Sequence, residues 1–356
     1  MSTVYFIEAD ADAPTDELEA KLKRLFDKAG FSFIFRPNDI SALKLHVGEP
    51  GTRTYLKPEI AAVLVDCMKE SGATPFLTDT SVLYRSPRDT GVGHAEVAAA
   101  HGFGVETTGA PFIPADGVLG KDGVMLPIFG KHFEEVSIAA AIVEARSMLV
   151  LSHVTGHLGT GFGATLKNLG MGCSTKKAKL AQHHGQHPKI VTNRCIACGT
   201  CSDHCPAGAV LVAAAAIIDT QKCIGCGECI TTCREAAVAF DWSVMGPELE
   251  ERIAEHAAAV ARQKKGHICY ITAAINMTKD CDCLGVHQSR LLPDIGFFAA
   301  TDPVSLDQAI YDTITEKNKR SLKSMGYPHC DGTIQLVHAE KIGIGSRQYT
   351  LKRIEL

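Results

Sequence analysis

The sequence lacks a long apolar run, an export signal and a strong charge bias. Its longest apolar stretch, residues 209–218, is too short to span a bilayer. The first residues, MSTVYFIEADADAP, have no basic start followed by an apolar segment, so we expect no export signal. The formal net charge of −4 gives no electrostatic reason to expect nucleic acid or an anionic membrane as a partner. Together with many free cysteines, these features predict a cytoplasmic protein.

Cysteine, by contrast, is abundant and regularly spaced. Eight of the 14 cysteines fall into two copies of one pattern, C-x2-C-x2-C-x3-C. This is the spacing of a bacterial two-cluster ferredoxin, in which the fourth cysteine of each run binds the other cluster. It predicts one [4Fe–4S] cluster on Cys195, Cys198, Cys201 and Cys233. It predicts a second on Cys223, Cys226, Cys229 and Cys205.

Zinc and disulfides fit this cysteine pattern less well than iron–sulfur clusters do. Structural zinc prefers two separated C-x2-C pairs, and two runs of four exceed what one zinc ion requires. A disulfide framework would suit a small secreted chain. The flanks repeat as well, since aligning the two runs brings Thr192 onto Thr220 and Gly199 onto Gly227. A duplicated half-domain is therefore predicted.

Outside the cysteine-rich segment, strand-like and helix-like stretches alternate. Such alternation predicts an α/β fold with an open, largely parallel sheet. The predicted strands cover residues 4–8, 42–47, 74–77, 148–152, 267–275, 296–300 and 347–354. The predicted helices cover residues 16–29, 58–70, 95–100, 247–264 and 303–314. Asp16 and Glu19 have the spacing of a capping box for the first helix, and Gly30 is its predicted stop.

The length and the order of these stretches predict two domains. The chain has 356 residues, of which 46% are apolar, enough for about two packed domains. We predict a discontinuous α/β domain from residues 1–187 and 243–356. An α+β, bacterial-type two-[4Fe–4S] ferredoxin domain is inserted at residues 188–242. Three consecutive domains are the alternative, but the last portion holds few strands with which to bury its own core.

Several segments together resemble a known family. They are LKLHVGEPG (43–51), residues 77–103, residues 153–173, the paired cysteine runs, the CDC of 281–283 and residues 293–309. The combination resembles the domain-of-unknown-function family numbered 362, and within it the branch of iron–sulfur-centre proteins with an inserted ferredoxin. The resemblance covers nearly the whole chain. It implies the fold and the clusters, but no established reaction.

A second group of polar residues lies where strands of the sheet are expected to end. Ligands of open α/β sheets bind at this edge, so these residues are predicted to line a pocket. They are His46, Asp79, His94, His153, His157, Lys167, Asn168, Cys281, Asp282, Cys283 and Asp302. Asp302 precedes Pro303, so a helix N-cap explains it equally well.

Cys281 and Cys283 are two residues apart, so on an extended chain both sulfurs point to one side. They are predicted to bind a third metal, zinc or iron, with His157 or His153 as a further ligand, or to act as a dithiol. The alternative is two buried, inert cysteines. Single buried thiols are the expected state of Cys67, Cys173, Cys269 and Cys330.

The glycine-rich stretch of residues 159–164 formally matches a dinucleotide-binding motif. The acidic residue expected about twenty positions later is missing, so NAD binding is not expected. Backbone amides here, together with Lys167, could still hold a phosphate or a carboxylate. The alternative is a tight turn with Lys167 in solvent.

These features predict an iron–sulfur electron-transfer protein, and within that class a redox enzyme or reductase component. Its catalytic residues would come from His46, His94, His153, Lys167, Asn168 and Asp302, and its partner would be a redox protein or a small-molecule electron acceptor. One alternative is a non-catalytic carrier that docks redox partners, and another is an iron–sulfur or metal-delivery factor. A homodimer is compatible with the sequence.

Overall fold

A computed structural model of the protein describes residues 1–183, 187–223, 225, 227–239, 247–321 and 325–356. Its strands are β1 (Ser2–Glu8), β2 (Ile40–Lys44), β3 (Thr74–Thr78), β4 (Gly123–Pro127), β5 (Glu135–Ala139), β6 (Ser147–His153), β7 (Thr155–His157), β8 (Gly161–Gly163), β9 (Lys189–Ile190), β10 (Val210–Val212), β11 (Ala216–Ile218), β12 (Val238–Ala239), β13 (Ile268–Ala274), β14 (Gly296–Ala300) and β15 (Tyr349–Arg353). Its helices are α1 (Thr15–Lys28), α2 (Pro58–Glu70), α3 (Gly91–Ala100), α4 (Val105–Thr108), α5 (Ala140–Glu144), α6 (Thr165–Gly170), α7 (Lys176–Gln182), α8 (Thr200–Asp203), α9 (Glu228–Thr232), α10 (Pro247–Gln263), α11 (Pro303–Asn318) and α12 (Ile334–Lys341).

A seven-stranded sheet forms the centre of the molecule, with the strand order β15-β1-β14-β13-β6-β2-β3. The strands β13, β6, β2 and β3 run parallel to one another, and β15 runs parallel to β1. Only β14 is antiparallel to its neighbours within this sheet. The predicted α/β architecture with a largely parallel sheet is confirmed.

Helices cover both faces of this sheet, because its strands are apolar on both sides. Along β6, Met148 and Val150 pack into one buried cluster, while Leu149 and Leu151 pack into another. The first cluster includes buried alanines of α10 and side chains of α11. The second includes residues of α1 and α2. The result is a three-layer core that holds the strand ends in fixed positions.

The start of α1 differs from the prediction. The helix begins at Thr15 after Pro14, and no side chain caps it, so the predicted Asp16–Glu19 capping box is wrong. Asp16 instead lies in the first turn, where a negative charge is favourable near the amide end of the helix. Gly30 follows the helix with a φ of 71°, as its role as a stop requires.

The cysteine-rich segment forms local structure of its own. Strand β9 pairs with β12, and β10 pairs with β11, both antiparallel. A small buried cluster of Cys201, Val210, Ala216, Cys229 and Val238 lies between these elements. The central sheet takes strands from both sides of this segment, since β1–β3 and β6 precede it and β13–β15 follow it. Cys226 and the predicted domain limit near residue 242 lie outside the described residues.

The two cysteine runs also match in backbone conformation. Equivalent positions adopt positive φ in both halves: Ala197 (54°) and Gly225 (67°), Gly199 (82°) and Gly227 (74°), Gly208 (58°) and Ala236 (47°). Left-handed backbone is costly for alanine, so its recurrence at matched sites indicates a shared local fold. The sequence repeat is therefore also a structural repeat.

Within the described part of the chain, no helix combines the length and the apolar character needed to cross a bilayer.

Candidate functional site

A cavity of about 550 Å³ lies beyond the carboxyl ends of the parallel strands β2, β3, β6 and β13. Helices α6 and α7 contribute another part of its wall. Most of the predicted pocket residues line it: His46, Asp79, His153, His157, Lys167, Asn168, Cys281, Asp282 and Cys283. The structure therefore brings together nine of the residues that were named from their positions after strand ends.

Two predicted pocket residues do not line the cavity. His94 is fully buried behind Asp79, with its Nε2 atom 3.7 Å from a carboxylate oxygen. Asp302 caps α11, accepting hydrogen bonds from the amides of Val304 (2.9 Å) and Ser305 (3.0 Å). Its other oxygen accepts a hydrogen bond from the Ser2 hydroxyl at 2.8 Å. For Asp302 the geometry is that of the helix cap, the alternative the sequence had left open.

Buried ion pairs form one wall of the cavity. The ammonium of Lys44 lies 2.9 Å from Asp79 and donates to Asn168 Oδ1 at 2.6 Å. Burial disfavours the charged form of Asp79, but Lys44 and nearby histidines outweigh it and hold the pKa of Asp79 below its usual range. Arg88 binds Glu49 through Nε (2.9 Å) and Nη2 (2.7 Å). Within each pair the two charges neutralise each other. The pairs also hold the ends of β2 and β3 in place.

His153 is held at both ring nitrogens. Nδ1 lies 2.6 Å from Asp282 Oδ2, and Nε2 lies 2.7 Å from the carbonyl oxygen of Ile275. Two acceptors require two ring protons, so the ring is an imidazolium. Burial opposes this charge, but the contacts with Asp282 raise the pKa of His153. The pair anchors the segment that carries Cys281 and Cys283, and leaves His153 no free nitrogen for a metal.

The Nδ1 atom of His157 accepts hydrogen bonds, whereas that of His153 donates one. The donors to His157 are the amides of Gly159 (3.2 Å) and Thr160 (3.1 Å). An accepting Nδ1 places the ring proton on Nε2. Burial, together with the charge of Lys167, lowers the pKa of His157 well below its usual value. His157 is therefore a neutral donor at the cavity wall.

The glycine-rich stretch forms the hairpin of β7 and β8 rather than a dinucleotide-binding turn. The amides of Gly159 and Thr160 already donate to His157, so they are not available to an anion. An anion at this stretch would therefore depend on Lys167 rather than on these two amides, and the anion role stays a prediction.

Lys167 lies in α6 and lines the cavity. Among the described contacts, its ammonium has no hydrogen bond or ion pair. Burial lowers the pKa of Lys167 to about 8, and the charge of Lys44 acts in the same direction. A lysine in this state changes protonation near neutral pH, which suits binding or proton transfer.

Cys281 and Cys283 are joined by a disulfide at the cavity wall. Neither sulfur is a thiolate in this form, so the oxidised pair cannot bind a metal in the predicted way. Across the described residues, no three His, Cys, Asp or Glu side chains converge on a single-ion position. A third metal on Cys281, Cys283 and His157 stays a prediction for the reduced pair.

Four cysteines from both runs line one smaller cavity: Cys195, Cys198, Cys201 and Cys233. The amide of Ala216 donates to Cys195 Sγ at 3.3 Å, and the amide of Ala237 donates to Cys233 Sγ at 3.3 Å. Such donors stabilise negative charge on sulfur. The residues therefore fit the predicted first cluster, including its ligand from the second run.

The structure describes three of the four cysteines that are predicted to hold the second cluster. Cys205, Cys223 and Cys229 lie among the described residues, while Cys226 does not. The amide of Ala209 donates to Cys205 Sγ at 3.2 Å, which matches the bond to Cys233 in the other half. Cys205 and Cys233, the two predicted shared ligands, therefore have matching backbone surroundings, and the second cluster stays a prediction.

The second half of the cysteine segment packs against the helix that reaches the cavity. A Cβ atom at Gly227 would lie 2.5 Å from Leu180 Cδ2 in α7. Lys121 bridges to Glu228 at 3.2 Å beside it. From α7 and the residue after it, Lys179 and His183 line the cavity. One helix thus contacts both the cysteine segment and the predicted pocket.

Sequence reasoning missed several residues in and behind the cavity wall: the buried Lys44, Glu49, Arg88 and Lys179, and the half-buried Tyr84. One of them had a recognisable signal. Lys44 interrupts an apolar stretch predicted to be a strand of a parallel sheet, where both faces are covered. A lysine there has to be buried, and a buried lysine requires a partner.

The model of the family "Domain of unknown function (DUF362)" matches residues 42–312. The chain belongs to the DUF362 family. The match covers the strands whose ends line the cavity and the cysteine segment between them. A comparison with curated proteins finds no match.

Solved structures show only distant likeness to this DUF362 protein. The lactate racemase apoprotein from Thermoanaerobacterium thermosaccharolyticum is 10% identical over 77% of this chain and 51% of that one, with a TM-score of 0.37. A protein from Thermotoga maritima is 9% identical over 88% of this chain and 60% of that one, with a TM-score of 0.45. The chain thus spans between about half and three fifths of these structures.

Proposed function

We propose that this DUF362 protein is an iron–sulfur redox protein that delivers electrons to the cavity at the strand ends. The observation that carries the proposal is the set of four cysteines around one small cavity. Three come from the first run and Cys233 from the second, as shared ligation of two [4Fe–4S] clusters requires. Residues 188–242 would then be the inserted two-cluster unit.

The route into the cavity would follow the contact of Gly227 with Leu180. Because Gly227 lies within the second cysteine run, the cluster nearest this contact would be the one predicted on Cys205, Cys223, Cys226 and Cys229. Lys179 and His183 continue the route from α7 into the cavity. Two clusters of this kind supply one electron each. The proposal therefore assigns the second set as the one facing the cavity.

The disulfide of Cys281 and Cys283 would be the acceptor within the protein. Its S–S bond breaks on uptake of two electrons and two protons, and two thiols result. The His153–Asp282 pair would keep the segment in place while the bond opens. A dithiol at the cavity wall could then reduce a bound molecule and return to the disulfide.

Thiol counting tests this assignment directly. Anaerobic protein is reduced with dithionite, quenched in acid, and alkylated before peptide mass spectrometry. In the wild type we expect Cys281 and Cys283 to gain the label together after reduction. In a double variant, Cys205→Ser with Cys233→Ser, we expect little label because each set loses its shared ligand.

The double variant is the control for direct reduction by dithionite. Equal labelling of Cys281 and Cys283 in both proteins would contradict a route through the cysteine segment. If Cys281 and Cys283 stay unlabelled in a wild type that holds iron and sulfide, their disulfide is not the electron acceptor.

A non-catalytic carrier is the second candidate, and exposed apolar side chains favour it. Ile196 is 65% exposed, Leu211 63% and Ile217 60%, all in the cysteine segment. Exposed apolar groups beside Cys198, which is itself exposed, suit the docking of a redox partner protein. A carrier would reduce such a partner at the same rate in a Cys281→Ser, Cys283→Ser variant.

A further inference from the structure

The cavity carries a donor group without an acceptor. Lys167 has no hydrogen bond or ion pair among the described contacts, whereas the other cations of the wall are engaged. Lys44 is paired with Asp79 and Arg88 with Glu49, and Lys179 donates to main-chain oxygens, that of Ser81 at 2.6 Å. A lysine that remains unpaired in such a wall is poised for an anion from outside the chain.

His157 adds a second donor near the first. Its Nδ1 atom is occupied by the amides of its own hairpin, so the ring proton is on Nε2. His157 and Lys167 line the same cavity, and the lysine charge lowers the pKa of His157. The site therefore offers an ammonium and a ring N–H, both suited to an acidic group.

Another part of the lining is apolar. It includes Val82, Leu83, Leu158, Met171, Leu249 and Leu284. A cavity of about 550 Å³ falls in the usual size range of small-molecule sites. A ligand that fills it would combine a charged head with an apolar body.

We infer that the cavity binds a small organic anion, whose acidic head is held by Lys167 and the Nε2–H of His157 and whose body lies on the apolar wall. The inference rests on the proposed function only for the role of the anion as electron acceptor. Binding itself needs neither clusters nor electrons. Its outcome is therefore separate from that of the thiol count.

Binding is measured by isothermal calorimetry on the oxidised full-length protein, with hexanoate as the probe. Hexan-1-ol has the same body without the charge, and inorganic phosphate has the charge without the body. We expect hexanoate to saturate the wild type with a dissociation constant of about 1 mM or below. Neither comparison compound should bind as tightly.

Variants of Lys167 test whether its ammonium group binds the acidic head of the probe. Lys167→Met should weaken hexanoate binding by about tenfold, because a charge-assisted contact is lost. Lys167→Arg keeps the charge and should bind within about threefold of the wild type. Lys177→Met, at an exposed neighbouring position in α7, is the matched control and should bind as the wild type does.

A labelling measurement covers the case in which Lys167→Met does not fold. Hexanoate should slow acetylation of Lys167 by acetic anhydride in the wild type, and leave Lys177 unaffected. The inference is overturned by any of three results. They are no saturable binding of hexanoate, equal binding of hexan-1-ol, or binding and labelling that are indifferent to Lys167.

Discussion

At the scale of single residues, most of the charges around the cavity are buried and compensated one by one. Lys44 meets Asp79, Arg88 meets Glu49, and His153 meets Asp282. Breaking such a pair costs far more than the pair contributes, because it leaves an uncompensated buried charge. The consequences can be tested one pair at a time.

The Arg88–Glu49 pair gives the first prediction. Arg88→Met leaves the largely buried Glu49 without the guanidinium that donates two hydrogen bonds to its Oε2 atom, and should lower the free energy of unfolding by about 3–5 kcal/mol. The exposed bridge of Arg353 to Glu8 is the matched control, and Arg353→Met should cost less than about 1 kcal/mol. Urea unfolding compares the two, and similar losses would contradict the account of the wall.

His94 gives a prediction about pH. Burial lowers the pKa of His94 to about 3, and among the described residues neither ring nitrogen has a hydrogen-bond partner that would stabilise the charged ring. The unfolded chain takes up this proton near pH 6.5 and the folded chain does not. The contribution of His94 to stability is therefore complete above pH 6.5 and is lost as the pH falls towards 3.

Replacing His94 by phenylalanine removes this proton uptake. The wild type should lose about 1.4 kcal/mol per pH unit relative to His94→Phe as the pH falls below 6.5. Urea unfolding at pH 7.0 and at pH 5.5 measures the difference, with acid effects elsewhere common to both proteins. A constant difference between the two proteins across this range would refute the assignment.

At the scale of elements, strands and helices with strong end signals were predictable. Helix α2 begins at Pro58 and ends at Glu70 as predicted, and β14 covers residues 296–300 as predicted. The hairpin of β4 and β5 was missed because most side chains of β4 are exposed and give no apolar alternation. Helix α11 runs four residues further than predicted and ends before Lys319, which has a φ of 56°.

The contact of α9 with α7 gives a prediction at this scale. Gly199 and Gly227 are equivalent in the repeat and both have positive φ, but only Gly227 has a close neighbour, Leu180. Gly199→Ala should cost about 1 kcal/mol from backbone strain alone. Gly227→Ala should cost more, because its Cβ atom would also displace Leu180.

Combining Gly227→Ala with Leu180→Ala separates the two effects. The double variant should show less than the summed loss in free energy of unfolding, since the second change makes room for the first. Full additivity would indicate that the cysteine segment does not rest on α7. In that case the proposed route to the cavity would lose its support.

At the scale of the whole molecule, the sequence located the site but not its pairings. Parallel strands bring their carboxyl ends to one edge, so residues that follow them could be named in advance. Their partners lie far along the chain: Lys44 and Asn168 are 124 residues apart, and His153 and Asp282 are 129. Such pairings depend on strand order and on loop paths, which no local pattern encodes.

The same limit applies to the cysteines. Their spacing predicted which four belong together, and Cys233 does lie with Cys195, Cys198 and Cys201 around one cavity. Spacing could not predict that the second half of the segment packs on α7. The sequence likewise did not decide the state of Cys281 and Cys283, since the same spacing suits a metal site, a dithiol or a disulfide.

The most direct test of the central claim is anaerobic analysis of iron and acid-labile sulfide, with EPR spectra recorded during reductive titration. The account predicts about eight iron and eight sulfide per chain, and signals of two interacting reduced clusters. A colourless protein in which zinc or disulfides occupy Cys195–Cys233 would contradict it.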